Sequence, residues 1–162
     1  MAETGYDLEE DTQKGKYLTF TVGSEVYGLE IQYITEIIGI QKITQMPELP
    51  EYMKGIINLR GKIIPVMDMR IRFKKEPREY NDRTCVIVVE IKGLSVGLII
   101  DSVSEVISIP DQNIVKPPQI NNENGKRYIK GIGKVVSEVK LLIDCEKLFT
   151  SYELDDLNEL TK

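Results

Sequence analysis

At 162 residues, with 41% hydrophobic and 29% charged residues, the chain has the balance of one soluble globular domain, or of two small ones sharing a core. Its net charge of −5 argues against a phosphate-backbone partner, which needs a concentrated basic face, and no apolar run approaches the roughly 18 residues of a membrane span. Histidine is absent, which removes the commonest general base and zinc ligand and leaves an enzyme only carboxylate, lysine or metal-phosphate chemistry.

In chain order, residues 1–15 carry Glu3, Asp7, Glu9, Glu10 and Asp11 among few apolar anchors, which predicts a disordered acidic tail and not a signal peptide. From Lys16 the texture changes: Leu18, Phe20 and Val22 alternate with Thr19 and Thr21 as in a strand, and Gly23-Ser24 turns it into Val26-Tyr27. β-Branched runs recur at 37–40, 56–57, 63–66, 85–91, 96–100, 106–109, 132–136 and 139–143, punctuated by Gly and Pro, so the chain reads as all-β with barrel or sandwich closure. Asp68 and Asp144 stand where a carboxylate caps a short helix, predicted over 69–73 and 145–149. Leu154, Leu157 and Leu160 at helical spacing predict a terminal helix docked on a barrel. Cys85 and Cys145, with no CxxC partner, read as buried thiols.

The chain repeats itself. Gly28, Leu29, Ile31, Ile34, Glu36, Ile37, Ile38 and Ile40 match Gly97, Leu98, Ile100, Val103, Glu105, Val106, Ile107 and Ile109 at one spacing of 69. Tyr52-Met53-Lys54-Gly55-Ile56 matches Tyr128-Ile129-Lys130-Gly131-Ile132 at a spacing of 76, and Asp68 and Phe73 fall on Asp144 and Phe149. The extra residues of the second copy belong in the insertion-like stretch 117–125. Units this small bury too little surface to stand alone, so the copies must share a core. The expected organisation is the tail 1–15, one five-stranded β-barrel subdomain over 16–80, a second over 81–143, and a C-terminal helical segment over 144–162 packed back on the barrels.

Duplication separates fold from function, since a residue kept in both copies serves the shared fold first. Lys54-Gly55 and Lys130-Gly131 then mark a turn and a close backbone approach, and Glu36, matched by Glu105, leans to a structural role. Asn58-Leu59-Arg60-Gly61 has no such counterpart, its partners being Lys134-Val135-Val136-Ser137. Arg60, at a turn between strands, either reaches a partner's carboxylate bidentately or fixes its own turn by an ion pair, with Glu36 the nearest choice. Ile31, Ile34 and Ile37, with Ile100, Val103 and Val106 opposite, are either core or the lining of an apolar groove between splayed barrels, wide enough for a helix.

The stretches YGLEI (27–31), TEIIGI (35–40), YMKGIINLRGKIIPVMDMRIRF (52–73), VGLIIDSVSEV (96–106) and LIDCEKLF (142–149) resemble the CheW family of chemotaxis coupling proteins over nearly the whole chain. The KG..NLRG...P..D pattern is the most specific part, and it is shared with the regulatory domain of the CheA kinase and with part of CheV; no kinase core, phosphotransfer histidine or receiver domain accompanies it here. The resemblance implies two SH3-like five-stranded barrels around a common hydrophobic region. It implies no catalysis and no cofactor, and a cytoplasmic adaptor recruited to membrane receptor arrays through its protein partners. Those partners are the CheA regulatory domain, stacking barrel to barrel, and the cytoplasmic tips of chemoreceptors. On this sequence it assigns receptor binding to Leu18, Ile31, Ile34, Glu36, Ile37 and Ile100, and binding within the receptor or kinase complex to Gly55, Asn58 and Arg60. Ile38, where relatives carry a charge, and Met67 and Met69, where they carry branched residues, bear on partner preference. An adaptor of a pilus-motility pathway is the alternative within the family. A small enzyme or ligand-binding barrel would need convergent polar groups that the scattered charges do not offer, and a nucleic-acid-binding barrel is disfavoured by the acidic balance.

Overall fold

Hydrogen-bonded ladders gather the strands into two sheets, and neither sheet is made from one half of the chain. The structure is a computed structural model describing residues 13–117 and 128–161; most of the expected acidic tail and of the 117–125 insertion lies outside the described residues. The strands are β1 (Lys16–Val22), β2 (Glu25–Glu30), β3 (Ile34–Gly39), β4 (Met53–Leu59), β5 (Lys62–Asp68), β6 (Cys85–Ile91), β7 (Leu94–Ile100), β8 (Ser102–Ser108), β9 (Ile114–Val115), β10 (Ile129–Val135) and β11 (Glu138–Ile143). Helix α1 (Met69–Arg72) follows β5 and α2 (Ser151–Leu160) closes the chain. β3 and β8 begin well before the apolar runs that announced them, because an edge strand carries polar residues such as Thr35 and Ser104 on its outer face.

The five-stranded sheet runs β3-β6-β7-β5-β4 and the six-stranded sheet β8-β1-β2-β11-β10-β9, giving the mostly-β, two-barrel architecture that the duplication foretold. The division at residue 80 does not survive. The β6–β7 hairpin of the second copy completes the barrel of β3, β4 and β5, and the β1–β2 hairpin of the first completes the barrel of β8, β10 and β11. The parallel junctions β5–β7 (Val66 opposite Gly97) and β2–β11 (Leu142 opposite Gly28) both cross between halves. Internal alignment finds equivalent strands but is blind to which copy each one pairs with, which is why the boundary was misplaced.

The pseudo-symmetry holds down to register. Ile34 and Ile37 on β3 oppose Val89 and Ile87 on β6; their equivalents Val103 and Val106 on β8 oppose Phe20 and Leu18 on β1, with the same register shift in each pair. This bulge turns Ile34 onto the shared core while Ile38 packs inside the five-stranded barrel, although a regular strand would put both on one face. The sixth strand, β9, with Val115 opposite Ile132, is the counterpart of an isolated bridge between Thr44 and Ile56.

Asp68 caps α1 by accepting from the backbone N–H groups of Arg70 and Ile71, and Asp144 caps a 3-10 turn over Cys145–Lys147. Thr150 and Glu153 form a reciprocal capping box at the start of α2, whose Leu157 is buried. Of the two thiols only Cys145 is buried, which pushes its pKa up to about 12; Cys85 is partly exposed and neither is bridged.

Where the equivalent α1 and 145–149 segments meet, Arg72 breaks the symmetry: its repeat partner is Leu148, and its Nε and Nη2 donate to the Leu148 carbonyl at 3.1 and 2.6 Å. The guanidinium lies over the rings of Tyr52 and Tyr128, which are themselves repeat partners, at 4.1 and 5.1 Å. Its Nη1 and Nη2 donate to the Glu153 carboxylate of α2 at 3.1 and 2.8 Å.

Candidate partner-binding surfaces

Arg60 and Gly61 form the two-residue turn between β4 and β5, where Leu59 pairs with Lys62, and both hold left-handed φ values, 51° and 86°. Such turns follow the natural twist of a hairpin, and glycine takes the conformation without penalty. Asn58 fastens the turn from inside, its Oδ1 accepting from the Gly61 N–H at 2.8 Å.

Arg60 reaches from this turn to Glu36, its Nη2 donating to the two carboxylate oxygens at 2.5 and 2.6 Å. β3 and β4 are the two edges of the five-stranded sheet, so the pair clips the barrel across its seam. Contact runs through one nitrogen rather than the two-pronged fork, and the Arg60 side chain stays 70% exposed. An exposed pair of this kind contributes about 0–1 kcal/mol, so it shapes a surface more than it holds a fold. Glu36 and Glu105, matched in sequence, are used differently: the first is half-buried against Arg60, the second lies exposed with its backbone N–H and carbonyl tied to Thr19 Oγ1.

Gly55 sits in β4, not in a turn. Its φ is +144°, and an added Cβ would lie 2.2 Å from the carbonyl oxygen of Thr44, whose backbone pairs with Ile56 on both sides. Gly55→Ala is therefore expected to cost about 2–3 kcal/mol in urea unfolding by driving residue 44 off the sheet edge. Unchanged stability together with lost partner binding would place Gly55 in direct contact instead.

The receptor-binding set divides by burial. Leu18 and Ile100 are 3% and 1% exposed, so they underlie the surface and are not walls that a partner can touch. Ile31 and Ile34 are half-buried on the same cluster as Val103, and the 3-10 turn Ile31–Tyr33 lies between β1 and β6, at the meeting of the two sheets. Ile37 and Val106, equivalent residues on the edge strands β3 and β8, are 43% and 53% exposed. Four apolar side chains, Ile31, Ile34, Ile37 and Val106, thus offer partly accessible surface, and Val103 packs on the same cluster as Ile31 and Ile34.

The pseudo-equivalent of the Arg60 turn carries the opposite chemistry. Val136, at the tip between β10 and β11, is fully exposed with a left-handed φ of 56°, uncommon for a β-branched residue, and Val139 and Val115 nearby in the same sheet are also exposed. Sequence reading passed over these valines because they sit in or beside runs that look like core. The two barrels therefore present unlike tips, one charged and one apolar.

A family model for the CheW-like domain matches residues 16–153. The chain belongs to the CheW-like domain family. That family is one of adaptors and scaffolds and not of enzymes. The chain is 33% identical over 155 residues to the chemotaxis protein CheW of Klebsiella aerogenes, covering 96% of this chain and 93% of the relative. It is 32% identical to the chemotaxis protein CheW of Treponema pallidum, over 88% of this chain and 86% of that one. The crystal structure of the scaffolding protein TtCheW from Thermoanaerobacter tengcongensis superposes with a TM-score of 0.78 at 39% identity, covering 83% of this chain and 92% of that one. Among the described residues no helix is long and apolar enough to cross a membrane, and no cluster of three or more acidic or cysteine side chains is arranged to hold a metal ion.

Proposed function

We propose that this CheW-family adaptor joins the cytoplasmic tips of chemoreceptors to the regulatory domain of a CheA histidine kinase and carries receptor control to the kinase. One observation carries the reading: two fused, equivalent barrels offer unequal surfaces, a partly exposed apolar strip beside their junction and an exposed Arg60–Glu36 clip on one barrel alone. The strip of Ile31, Ile34, Ile37 and Val106 suits an amphipathic helix, the form a receptor's helical hairpin tip would present. The Arg60 turn with Asn58 and Gly55, and the apolar Val136 tip at the other end of the pseudo-symmetry, suit a second body of the same fold stacking barrel to barrel. Recruitment to membrane arrays then follows from protein contacts, each in the micromolar range (about −8 kcal/mol) and reinforced by multivalency. Control of the kinase requires the adaptor to contact its active and inactive states unequally. The pilus-motility alternative uses the same surfaces, and no observation favours it.

Arg60→Glu tests the reading. Placing two carboxylates across the seam should leave thermal unfolding within a few degrees of wild type, since the pair is exposed. Co-purification with a CheA regulatory domain and a receptor cytoplasmic fragment should weaken by tenfold or more. Normal receptor-dependent kinase activation by this variant would remove Arg60 from the site.

A further inference from the structure

Each barrel is completed by a hairpin from the other half of the chain, and one covalent connection, residues 74–84, joins the halves. It has no strand or helix, and residues 76 to 79 are all exposed. Lys74 at its start holds a left-handed φ of 61°, a conformation that opening of the loop would relieve. The loop is tied mostly at its two ends: the Lys74 and Lys75 N–H groups donate to the Ile71 and Arg70 carbonyls, Arg70 Nη1 donates to the Glu76 carbonyl and the Tyr80 hydroxyl to Asp68, both at 2.8 Å, and Lys75 pairs with Glu25. Along the exposed middle Arg78 reaches Asp101 only at 3.8 Å. Everything else binding the halves consists of ladders, apolar clusters and side-chain contacts such as Arg70–Asp101 and Arg72–Glu153, and none of these needs the two halves to share a chain.

We propose that two copies of this chain exchange halves, residues 13–73 of each completing both barrels with residues 84–161 of the other. Every ladder of the monomer is kept, so only the connection changes state, and swapping of an identical element is a low-cost route to a dimer. Fully extended, the 74–84 segment spans about 36 Å, more than twice the roughly 15 Å radius of gyration of a body this size, so it can bridge two adjacent globules. Because the hairpins are interleaved, monomer and dimer interconvert only through unfolding, and their ratio is set during folding by chain concentration. In the dimer Ile31 and Ile34 of one copy pack on the same cluster as Val103 of the other, so each apolar surface is built jointly and the dimer is bivalent; this consequence alone rests on the proposed function.

Two full-length variants test the exchange. Phe20→Asp and Leu98→Asp each place a carboxylate at a fully buried core position, one in each half, and each alone is expected to refold to an unprotected state. Unfolded together and co-refolded, they should yield a dimer by light scattering in which one of the two globules is wild type. Hydrogen exchange would then protect 13–73 only in the Leu98→Asp chain and 84–161 only in the Phe20→Asp chain. A mixture as unprotected as its components overturns the proposal, since association through surfaces cannot restore a broken core. Wild-type protein refolded at rising concentration should likewise trap a dimer that survives dilution, and monomer at every concentration overturns it as well.

Discussion

Neither residues 13–80 nor residues 81–161 are expected to fold when expressed alone, and an equimolar mixture is expected to recover the native circular dichroism in both the far and near ultraviolet. Within the first fragment the only ladders of any length are the hairpins β1–β2 and β4–β5, because β3 pairs with β6, β5 with β7, and the outer side of β1 with β8. An isolated two-stranded hairpin is at best marginal in water. Each of the three buried clusters also draws on both halves: Phe20, Leu29 and Met67 pack with Ile87, Leu98 and Ile143, Ile57, Ile64 and Val66 with Val86, Val88 and Ile99, and Tyr17 with Ile109 and Leu142. A fragment therefore keeps the entropic cost of ordering and loses most of the burial that offsets it. A cooperative thermal transition in either fragment alone would contradict the interleaved topology.

Arg72→Met is expected to destabilise the intact protein by about 3 kcal/mol, the lower edge of the range for breaking a buried pair, since Glu153 retains some access to solvent. The guanidinium is 6% exposed and joins α1, the Leu148 carbonyl and α2, with Tyr52 and Tyr128 against its faces. Methionine preserves much of the packing but leaves the Leu148 carbonyl and the Glu153 carboxylate without their strongest donor. The pH dependence identifies the interaction. Burial alone would raise the Glu153 pKa; the hydrogen bonds from Arg72, the Tyr52 hydroxyl and the Thr150 N–H outweigh it and hold the carboxyl at about 2, below its ordinary 4.5. A depressed acid stabilises the fold above its unfolded-state pKa, so this contribution is complete above pH 4.5 and lost as pH falls toward 2. Urea midpoints measured from pH 6 to pH 2 should fall in wild type and lose part of that fall in Arg72→Met. Parallel curves would mean that Glu153 is not held by Arg72.

Arg72 also marks how far reading by repetition can go. Comparing the copies singled out Arg60 because its partner is Val136, and the same comparison sets Arg72 against Leu148. A charged residue in a short helix normally faces solvent, so position alone gives no reason to single out Arg72. Only the meeting of two equivalent segments gives it four hydrogen bonds and three aromatic rings, those of Tyr52, Tyr128 and Phe149. Asp68 and Asp144 were legible as caps because a cap is a local event, closed within three residues of its own chain. The Arg60–Glu36 pair was legible as one of two choices, since Arg60 at a turn without a repeat counterpart needs a carboxylate and Glu36 lies in a nearby strand of the same copy.

The amino-acid sequence alone determined the β class, the duplication, the capped helices and the family pattern around Arg60, because each is written in local alternation or in a fixed spacing. Which hairpin completes which barrel, and which isoleucines are accessible, were decided only by the fold. Leu18 and Ile37 look alike in a run of apolar residues, yet one ends at 3% exposure and the other at 43%. A central strand is covered on both sides and an edge strand is not, and no residue's own chemistry records which neighbour arrives to cover it.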